Sequence, residues 1–278
     1  MELKVQERIK SVSKISGWFS TTDALVFDSV LNSQAEHQVT GNLLEIGVFA
    51  GKSAVFLNYY LNLSESLHVC DIFEGEVQGE NSVEILDSYE NLSENRFKSN
   101  FTKVFANLPT IHTCNSSELD SRLGNMSFRF IHIDGSHLYE FVKNDLDFAV
   151  RHLHQNGGVV VLDDFRSAHT LGVTASMWES IFNNKLKPFL FTANKAYLSA
   201  TATSIDLVGL KARLETNSLV LENVSFLDHD AVRVISDTTE GFKQERSVLH
   251  QYLPPILFNF LARYAPLRKA WSRIRRFQ

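Results

Sequence analysis

The chain has 278 residues, a formal net charge of −5 and two cysteines, Cys70 and Cys114. This length suffices for one large α/β domain with an appendage, or for two small domains. Two cysteines are too few for a disulfide framework or a zinc site made of thiolates, and the negative charge argues against a nucleic-acid partner. No apolar run approaches the roughly 20 residues that a membrane-spanning helix needs, and the amino terminus has no apolar signal core. We therefore expect a cytoplasmic protein.

The predicted elements alternate between strands and helices. Residues 20–23 have the composition of a helix cap and precede the first long helix. Short apolar runs that end in polar residues follow, and they predict buried strands separated by helices. Residues 188–192 and 196–200 have the pattern of an antiparallel pair that ends the sheet, with Asn194 and Lys195 in the turn. The buried strands are predicted at 41–46, 67–71, 110–114, 128–134 and 157–164.

This alternation predicts a Rossmann-like α/β fold, which is a doubly wound, mostly parallel sheet with an antiparallel closing strand. We divide the chain into an N-terminal helical segment at 1–40, a ligand-binding domain at 41–204 and a mixed C-terminal extension at 205–278. The extension has strand-like runs at 218–221 and 231–235. Ligands of such sheets bind beyond the carboxyl ends of the strands, so the polar residues there should meet.

The glycine turn after the first strand runs from Glu45 to Ser53, with the sequence EIGVFAGKS. A P-loop needs four residues between its first glycine and Gly-Lys-Ser, whereas three separate Gly47 from Gly51. A dinucleotide fingerprint needs a glycine two positions after the first, and Phe49 stands there. The spacing suits a ligand that has no phosphate but carries an ammonium and a carboxylate. S-adenosylmethionine is such a ligand.

The polar strand ends predict further contacts with this methyl donor. Glu45 is expected to order the turn and bind the amino group, while the helix that begins near Ser53 favours the carboxylate. Asp71 is placed to accept the ribose hydroxyls, and Asn115 and Ser116 are placed near the adenine. An isolated glycine turn of this spacing also occurs in ordinary strand–helix packing. The ordered series of polar strand ends favours the donor site.

Three motifs lie at predicted strands and their carboxyl ends: 44–53 (LEIGVFAGKS), 133–139 (IDGSHLY) and 157–164 (GGVVVLDD). Through them the chain resembles the class I methyltransferases of the family with macrocin-type sugar O-methyltransferases and cephalosporin-hydroxylase-like proteins. The resemblance covers roughly residues 15–200 and does not extend to the residues that follow. It implies that Glu45, Gly47, Gly51 and Asp71 bind the donor.

Asp134 follows the fourth strand, and Asp163 and Asp164 follow the fifth. Adjacent strands would bring all three beside the methyl group of the donor, so Asp134 is a candidate for donor binding and catalysis as well. Three carboxylates suit Mg²⁺, which would hold a substrate hydroxyl and lower its pKa. The resemblance also implies magnesium at these strand ends. The alternative is that Asp163 and Asp164 only cap the following turn.

His137 is the best candidate for the general base, because a neutral imidazole can take the hydroxyl proton near pH 7. The alternative is that it only supports the start of the following helix. His169 is a second candidate for the base. Four further histidines lie on predicted strands or a helix and are expected to be structural: His112, His132, His152 and His154.

The last 16 residues contain six basic side chains and no acid. An apolar stripe recurs there at helical spacing, which predicts a basic amphipathic helix. Such a helix is expected to contact the inner face of a membrane peripherally, and the alternatives are a homo-oligomer contact or packing on its own domain. The stripe consists of Leu267, Trp271, Ile274 and Phe277.

The sequence thus predicts S-adenosylmethionine-dependent methylation of a hydroxyl on a sugar or small polyol, assisted by Mg²⁺. Two alternatives stay open. One is a metal-independent small-molecule methyltransferase in which His137 acts alone, and the other is a donor-binding protein without catalysis.

Overall fold

The computed structural model describes residues 3–73, 93–200, 205–226 and 229–235, and the predicted basic helix near the carboxyl terminus lies outside them. The described residues belong to a compact unit that spans residues 1–236. None of their helices is long and apolar enough to cross a membrane. The strands are β1 Asn42–Ile46, β2 Leu67–Asp71, β3 Thr110–Thr113, β4 Phe128–Ile133, β5 Val159–Leu162, β6 Lys187–Phe191, β7 Ala196–Ser199, β8 Val220–Phe226 and β9 His229–Ile235. The helices are α1 Val5–Val12, α2 Thr21–Glu36, α3 Lys52–Asn58, α4 Glu94–Thr102, α5 Leu119–Leu123, α6 Tyr139–His152, α7 Leu171–Phe182 and α8 Leu207–Thr216.

All these strands form one sheet in the order β3-β2-β1-β4-β5-β7-β6-β9-β8. Strands β1 to β5 are parallel to their neighbours within this group, and β7 is antiparallel to both β5 and β6. The strand order reverses between β1 and β4, which makes the crevice beyond their carboxyl ends the expected ligand site. The predicted Rossmann-like fold is confirmed.

The expectation that the sheet ends with β6 and β7 is wrong. Strand β9 pairs in parallel with β6 through Leu190 and Val232, and β8 continues the sheet on the far side of β9. An uncovered β6 would leave a row of unpaired backbone groups at an edge beside buried apolar side chains. Strand β9, in which Ala231, Val232 and Val234 are buried, covers this edge instead.

The sheet is buried on both faces, as a doubly wound sheet must be. In β5, Val159 and Val161 belong to the core that also contains residues of α2 and α3. Val160 and Leu162 point to the opposite core, which contains residues of α6 and α7. Side chains alternate along a strand, so a continuous apolar run is what this position requires.

Arg129 on β4 is a buried hub at the amino-terminal side of the sheet. Its guanidinium donates two hydrogen bonds of 2.9 Å to the Glu65 carboxylate and one of 2.6 Å to the Tyr60 carbonyl. A further 2.9 Å bond goes to the Gln34 side chain on α2. The Arg129 and Glu65 side chains are 1% and 2% exposed. This pair therefore joins the sheet, the segment before β2 and α2.

We expect Arg129→Ala to lower the free energy of unfolding by about 3–5 kcal/mol, because it leaves the buried Glu65 carboxylate without its partner. Arg122→Ala is the matched control, since Arg122 pairs with Glu118 at 2.8 Å on the surface. The control should leave the stability nearly unchanged. Urea unfolding followed by circular dichroism compares the two, and equal midpoints would contradict the role of Arg129.

Candidate active site at the carboxyl ends of the strands

Backbone hydrogen bonds continue the sheet past the ends of its central strands. The amide of Gly47 donates to the Cys70 carbonyl at 2.8 Å, and that of Asp134 donates to the Ile46 carbonyl at 2.8 Å. The amide of Asp163 donates to Ile133 on β4 at 3.0 Å. The polar residues that follow β1, β2, β4 and β5 are thereby held side by side, as the sequence predicts.

Gly47 and Gly51 are required by close packing inside the protein. Gly47 has a φ of +81°, and a Cβ there would lie 2.0 Å from the Asp134 carbonyl oxygen. Gly51 has a φ of +88° and is the N-cap residue directly before α3, and a Cβ there would lie 2.8 Å from the Phe97 ring. Only glycine adopts such conformations without strain. Close approach of the donor to these glycines stays a prediction.

Asp71 binds the glycine turn through backbone amides. Its Oδ2 accepts hydrogen bonds from Val48 at 2.8 Å and Phe49 at 3.1 Å, and its Oδ1 accepts one from Phe73 at 2.9 Å. Burial raises the pKa of the Asp71 carboxyl although these donors oppose the shift. A carboxylate oxygen accepts more than one bond, so the predicted contact with ribose hydroxyls is compatible with this role.

The tip of the glycine turn is covered from two sides. The Phe49 ring has a centroid distance of 5.3 Å to Trp18, and the Arg96 guanidinium lies 5.4 Å from it. The Lys52 ammonium also donates to the Gly17 carbonyl at 3.3 Å. The segment before α2 and the helix α4 therefore both shape this end of the site.

A buried chain of polar side chains runs beneath the site from α3 to the end of β5. The Ser53 hydroxyl donates to Glu45 Oε1 at 2.5 Å, so this side chain is engaged within the protein. His132 Nδ1 lies 2.8 Å from the same oxygen. The Lys195 ammonium lies 3.3 Å from His132 Nε2 and forms an ion pair with Asp163 Oδ2. The chain connects β1, β4, β5 and the start of β7.

The protonation states within this chain follow from burial. Burial lowers the pKa of His132 to about 3, so its neutral ring donates from Nδ1 to Glu45 and accepts at Nε2 from Lys195. Burial raises the pKa of Glu45 to about 8. Burial also lowers the pKa of Lys195, but nearby carboxylates, first that of Asp163, raise it above its ordinary value. Lys195 is therefore a buried cation.

Glu45 Oε2 is buried, and it has no hydrogen-bond partner within the part of the chain that the structure describes. Such an atom is costly unless a ligand or water satisfies it. An unpaired carboxylate oxygen suits the ammonium of the predicted donor, and that contact stays a prediction.

The predicted magnesium residues do not form one ligand set. Ligating atoms of His132, Asp134 and Asp163 lie within 4.8 Å of one another, whereas the Asp164 carboxylate accepts from Ser167 at 3.0 Å. Burial, and then the charge of Asp163, raise the pKa of Asp134. Because Lys195 binds Asp163 and a histidine stands where a third carboxylate was expected, the group does not fit Mg²⁺, which prefers oxygen ligands.

His137 and Asp164, which follow β4 and β5, form a pair. His137 Nε2 lies 3.5 Å from Asp164 Oδ2, and the His169 ring has a centroid distance of 5.8 Å to the His137 ring. The hydrogen bond from His137 lowers the pKa of Asp164. His137 is 16% exposed, so it is oriented by an ionised carboxylate and reachable from solvent.

Asn115 and Ser116 support the loop after β3. The Asn115 side chain accepts from the Ser117 amide at 3.0 Å. Ser116 bonds the buried Asp145 carboxyl, whose pKa burial raises to about 7. These contacts are local, and the predicted adenine contact stays a prediction.

Sequence reasoning missed Lys195 as a site residue. It assigned Lys195 only to the turn before β7. The signal was present in the predicted topology, because an antiparallel strand begins at the same end of the sheet where parallel strands finish. A lysine directly before β7 is therefore brought to the carboxylate that directly follows β5.

We expect Gly47→Ala to lower the free energy of unfolding by at least about 3 kcal/mol, because its methyl group would overlap the Asp134 carbonyl. It should also weaken binding of S-adenosylhomocysteine, the demethylated donor, about tenfold or more. Gly124→Ala is the control, because Gly124 also has a positive φ but a Cβ there meets nothing within 4 Å.

The control should lose only about 1–2 kcal/mol from backbone strain, with unchanged donor affinity. Thermal unfolding and calorimetric titration measure both quantities. A Gly47→Ala protein with the stability and affinity of Gly124→Ala would show that the close approach to Asp134 is unimportant.

Comparisons with known proteins agree with this fold. A family described as "Methyltransferase domain" matches residues 44–165, and no curated protein matches the chain. The solved O-methyltransferase NovP has 15% identity and a TM-score of 0.52, covering 71% of this chain and 88% of its own. The S-adenosylhomocysteine-bound methyltransferase PaMTH1 of Podospora anserina has 10% identity and a TM-score of 0.47, covering 71% of this chain and 87% of its own.

At 15% identity, the structural likeness to NovP supports the fold alone. The family match spans the glycine turn, Asp71, Asp134 and the acid pair that follows β5. Together with the strand order, it shows that residues 44–165 match a methyltransferase domain and form part of a Rossmann-like sheet.

Proposed function

We propose that the protein transfers the methyl group of S-adenosylmethionine to a hydroxyl oxygen of a sugar or other small polyol. The observation that carries the proposal is the His137–Asp164 pair, 3.5 Å apart, beyond the carboxyl ends of β4 and β5. The fold likeness to NovP, which is described as an O-methyltransferase, supports oxygen as the acceptor atom. The sugar class rests on the resemblance carried by the sequence motifs.

The pair supplies what transfer to a hydroxyl requires. As the acceptor oxygen attacks the methyl carbon, the bond from sulfur to that carbon breaks and its electron pair stays on sulfur. The hydroxyl proton passes to the His137 imidazole, and the Asp164 carboxylate stabilises the imidazolium. Glu45 and the glycine turn hold the donor, and the sulfonium loses its charge in the step. The products are the methyl ether, S-adenosylhomocysteine and a proton.

The pairing of Asp163 with Lys195 and of Asp164 with His137 favours the metal-independent alternative over magnesium assistance. Asp163 forms an ion pair with Lys195, and Asp164 pairs with His137. The two remaining residues of the ligating group, His132 and Asp134, do not make the oxygen set that Mg²⁺ prefers.

We expect His137→Gln to lower kcat by about a hundredfold or more, because it removes the proton acceptor. Binding of S-adenosylhomocysteine should be unchanged. His154→Gln is the control, since the His154 ring contacts the carbonyl and the amide of Asn156 at 2.9 and 3.3 Å and belongs to a different part of the chain. Transfer of labelled methyl groups to a panel of sugars and nucleotide sugars measures kcat.

Two outcomes would contradict the proposal. One is full activity of His137→Gln on an acceptor that the wild type methylates. The other is wild-type protein that gives no heat and no thermal shift with S-adenosylmethionine.

We expect donor affinity to rise with pH between pH 5.5 and 7. Burial holds the pKa of Glu45 at about 8 in the donor-free protein, and an ammonium placed beside the carboxylate favours its ionised form. Donor binding below that pKa therefore releases a proton, which strengthens affinity up to about tenfold per pH unit.

Glu45→Gln removes this titration while keeping an acceptor for the Ser53 hydroxyl. Calorimetric titration with S-adenosylhomocysteine should show the slope in the wild type and lose it in the variant. A flat wild-type profile, or a slope that persists in Glu45→Gln, would mean that Glu45 does not ionise on binding.

A further inference from the structure

Lys195 is held in the interior by both its backbone and its side chain. Its amide donates to the Thr192 hydroxyl at 3.0 Å, and the Thr192 amide donates to the Lys195 carbonyl at 2.9 Å. The Phe165 amide donates to the Asn194 carbonyl at 3.2 Å, which ties this turn to the loop after β5. The Lys195 side chain is 1% exposed. Its ammonium therefore has no route to solvent and must be satisfied in place.

The Lys195 ammonium lies beside His132, Asp134 and Asp163, a group of three side chains whose ligating atoms lie within 4.8 Å of one another. It pairs with Asp163 Oδ2 and lies 3.3 Å from His132 Nε2. Asp134 is the remaining member of that group of three, and its charge acts on Lys195. The other nitrogen of His132 lies 2.8 Å from Glu45. Both ring nitrogens of His132 and one oxygen of Asp163 thus have partners within the protein.

We infer that the Lys195 ammonium is the resident cation of this site and takes the place that a divalent metal ion would need between His132, Asp134 and Asp163. One small space cannot hold both cations, because their charges repel and both need the same lone pairs. The side chain supplies one positive charge permanently, and its ammonium donates to Asp163 Oδ2 and lies 3.3 Å from the acceptor His132 Nε2.

The consequence for catalysis rests on the proposed function: methyl transfer needs no divalent ion, because the charge between β4, β5 and β7 is already balanced. In the wild type, the Lys195 ammonium keeps a metal ion from binding to His132, Asp134 and Asp163. Removal of Lys195 should expose it, since three ligating side chains would then surround an unbalanced space.

Thermal unfolding with MgCl₂ or MnCl₂ alone tests the inference without donor, acceptor or turnover. Wild-type protein should give the same Tm in either metal and in EDTA. Lys195→Ala should be less stable in EDTA, because Asp163 loses its partner, and MnCl₂ at a hundredfold excess over its Kd should raise its Tm by about 5 °C or more.

Two controls assign the effect. Lys185→Ala removes a more exposed lysine that pairs with Asp147 at 2.7 Å, and it should gain no response to metal. Adding Asp134→Asn to Lys195→Ala removes a ligand and should abolish the gained response. Lys195→Ser replaces Lys195→Ala if the latter does not fold.

Three results would overturn the inference. The first is a metal-induced Tm increase in the wild type that Asp134→Asn abolishes, and this arm decides the question even if no Lys195 variant folds. The second is a folded Lys195 variant without any metal response. The third is a gained response that persists when Asp134 is replaced. None of these depends on whether the enzyme methylates a sugar, so failure of the proposed function remains a separate result.

Discussion

The ion pair between Lys195 and Asp163 is the interaction on which the rest of the site depends. An ammonium in a dry interior costs several kcal/mol unless it is paired and hydrogen bonded. The neighbouring side chains meet this need. His132 stays neutral because burial lowers its pKa, and it offers Nε2 as an acceptor to the ammonium. Burial also keeps the pKa of Glu45 at about 8. Asp164, one residue away from the pair, is left to orient His137. The two adjacent carboxylates thus have different partners: Asp163 pairs with the buried Lys195 ammonium, and Asp164 pairs with His137.

The sheet provides this arrangement through its strand order. Parallel strands bring the turn after β1, Asp71, Asp134 and Asp163 to one end, and antiparallel β7 delivers Lys195 to the same end. Strands β9 and β8 extend the sheet beyond β6, so the turn that carries Lys195 belongs to an interior pair of strands. Arg129 joins the opposite end of β4 to α2. A buried ion pair therefore lies at each end of the largely apolar sheet: Lys195 with Asp163 at one end, and Arg129 with Glu65 at the other.

The sequence predicted the parts of the fold that local patterns encode. Apolar runs with polar ends predicted β1 to β7. The spacing of Gly47 and Gly51 distinguished the turn after β1 from phosphate-binding loops. The pairing of β9 with β6 depends on strand order across a long connection, which no local pattern specifies. The three-carboxylate prediction also neglected that consecutive residues leaving a strand point in different directions. Asp163 consequently faces Lys195, whereas Asp164, at a φ of +55°, faces His137.

The most direct test of this account is a crystal structure with S-adenosylhomocysteine and Mn²⁺, measured with anomalous scattering. We predict the ligand over the glycine turn with its amino group near Glu45 and its ribose near Asp71. Lys195 should remain on Asp163, with no anomalous peak beside Asp134. A manganese peak bound by Asp134 and Asp163, with Lys195 displaced, would contradict the account.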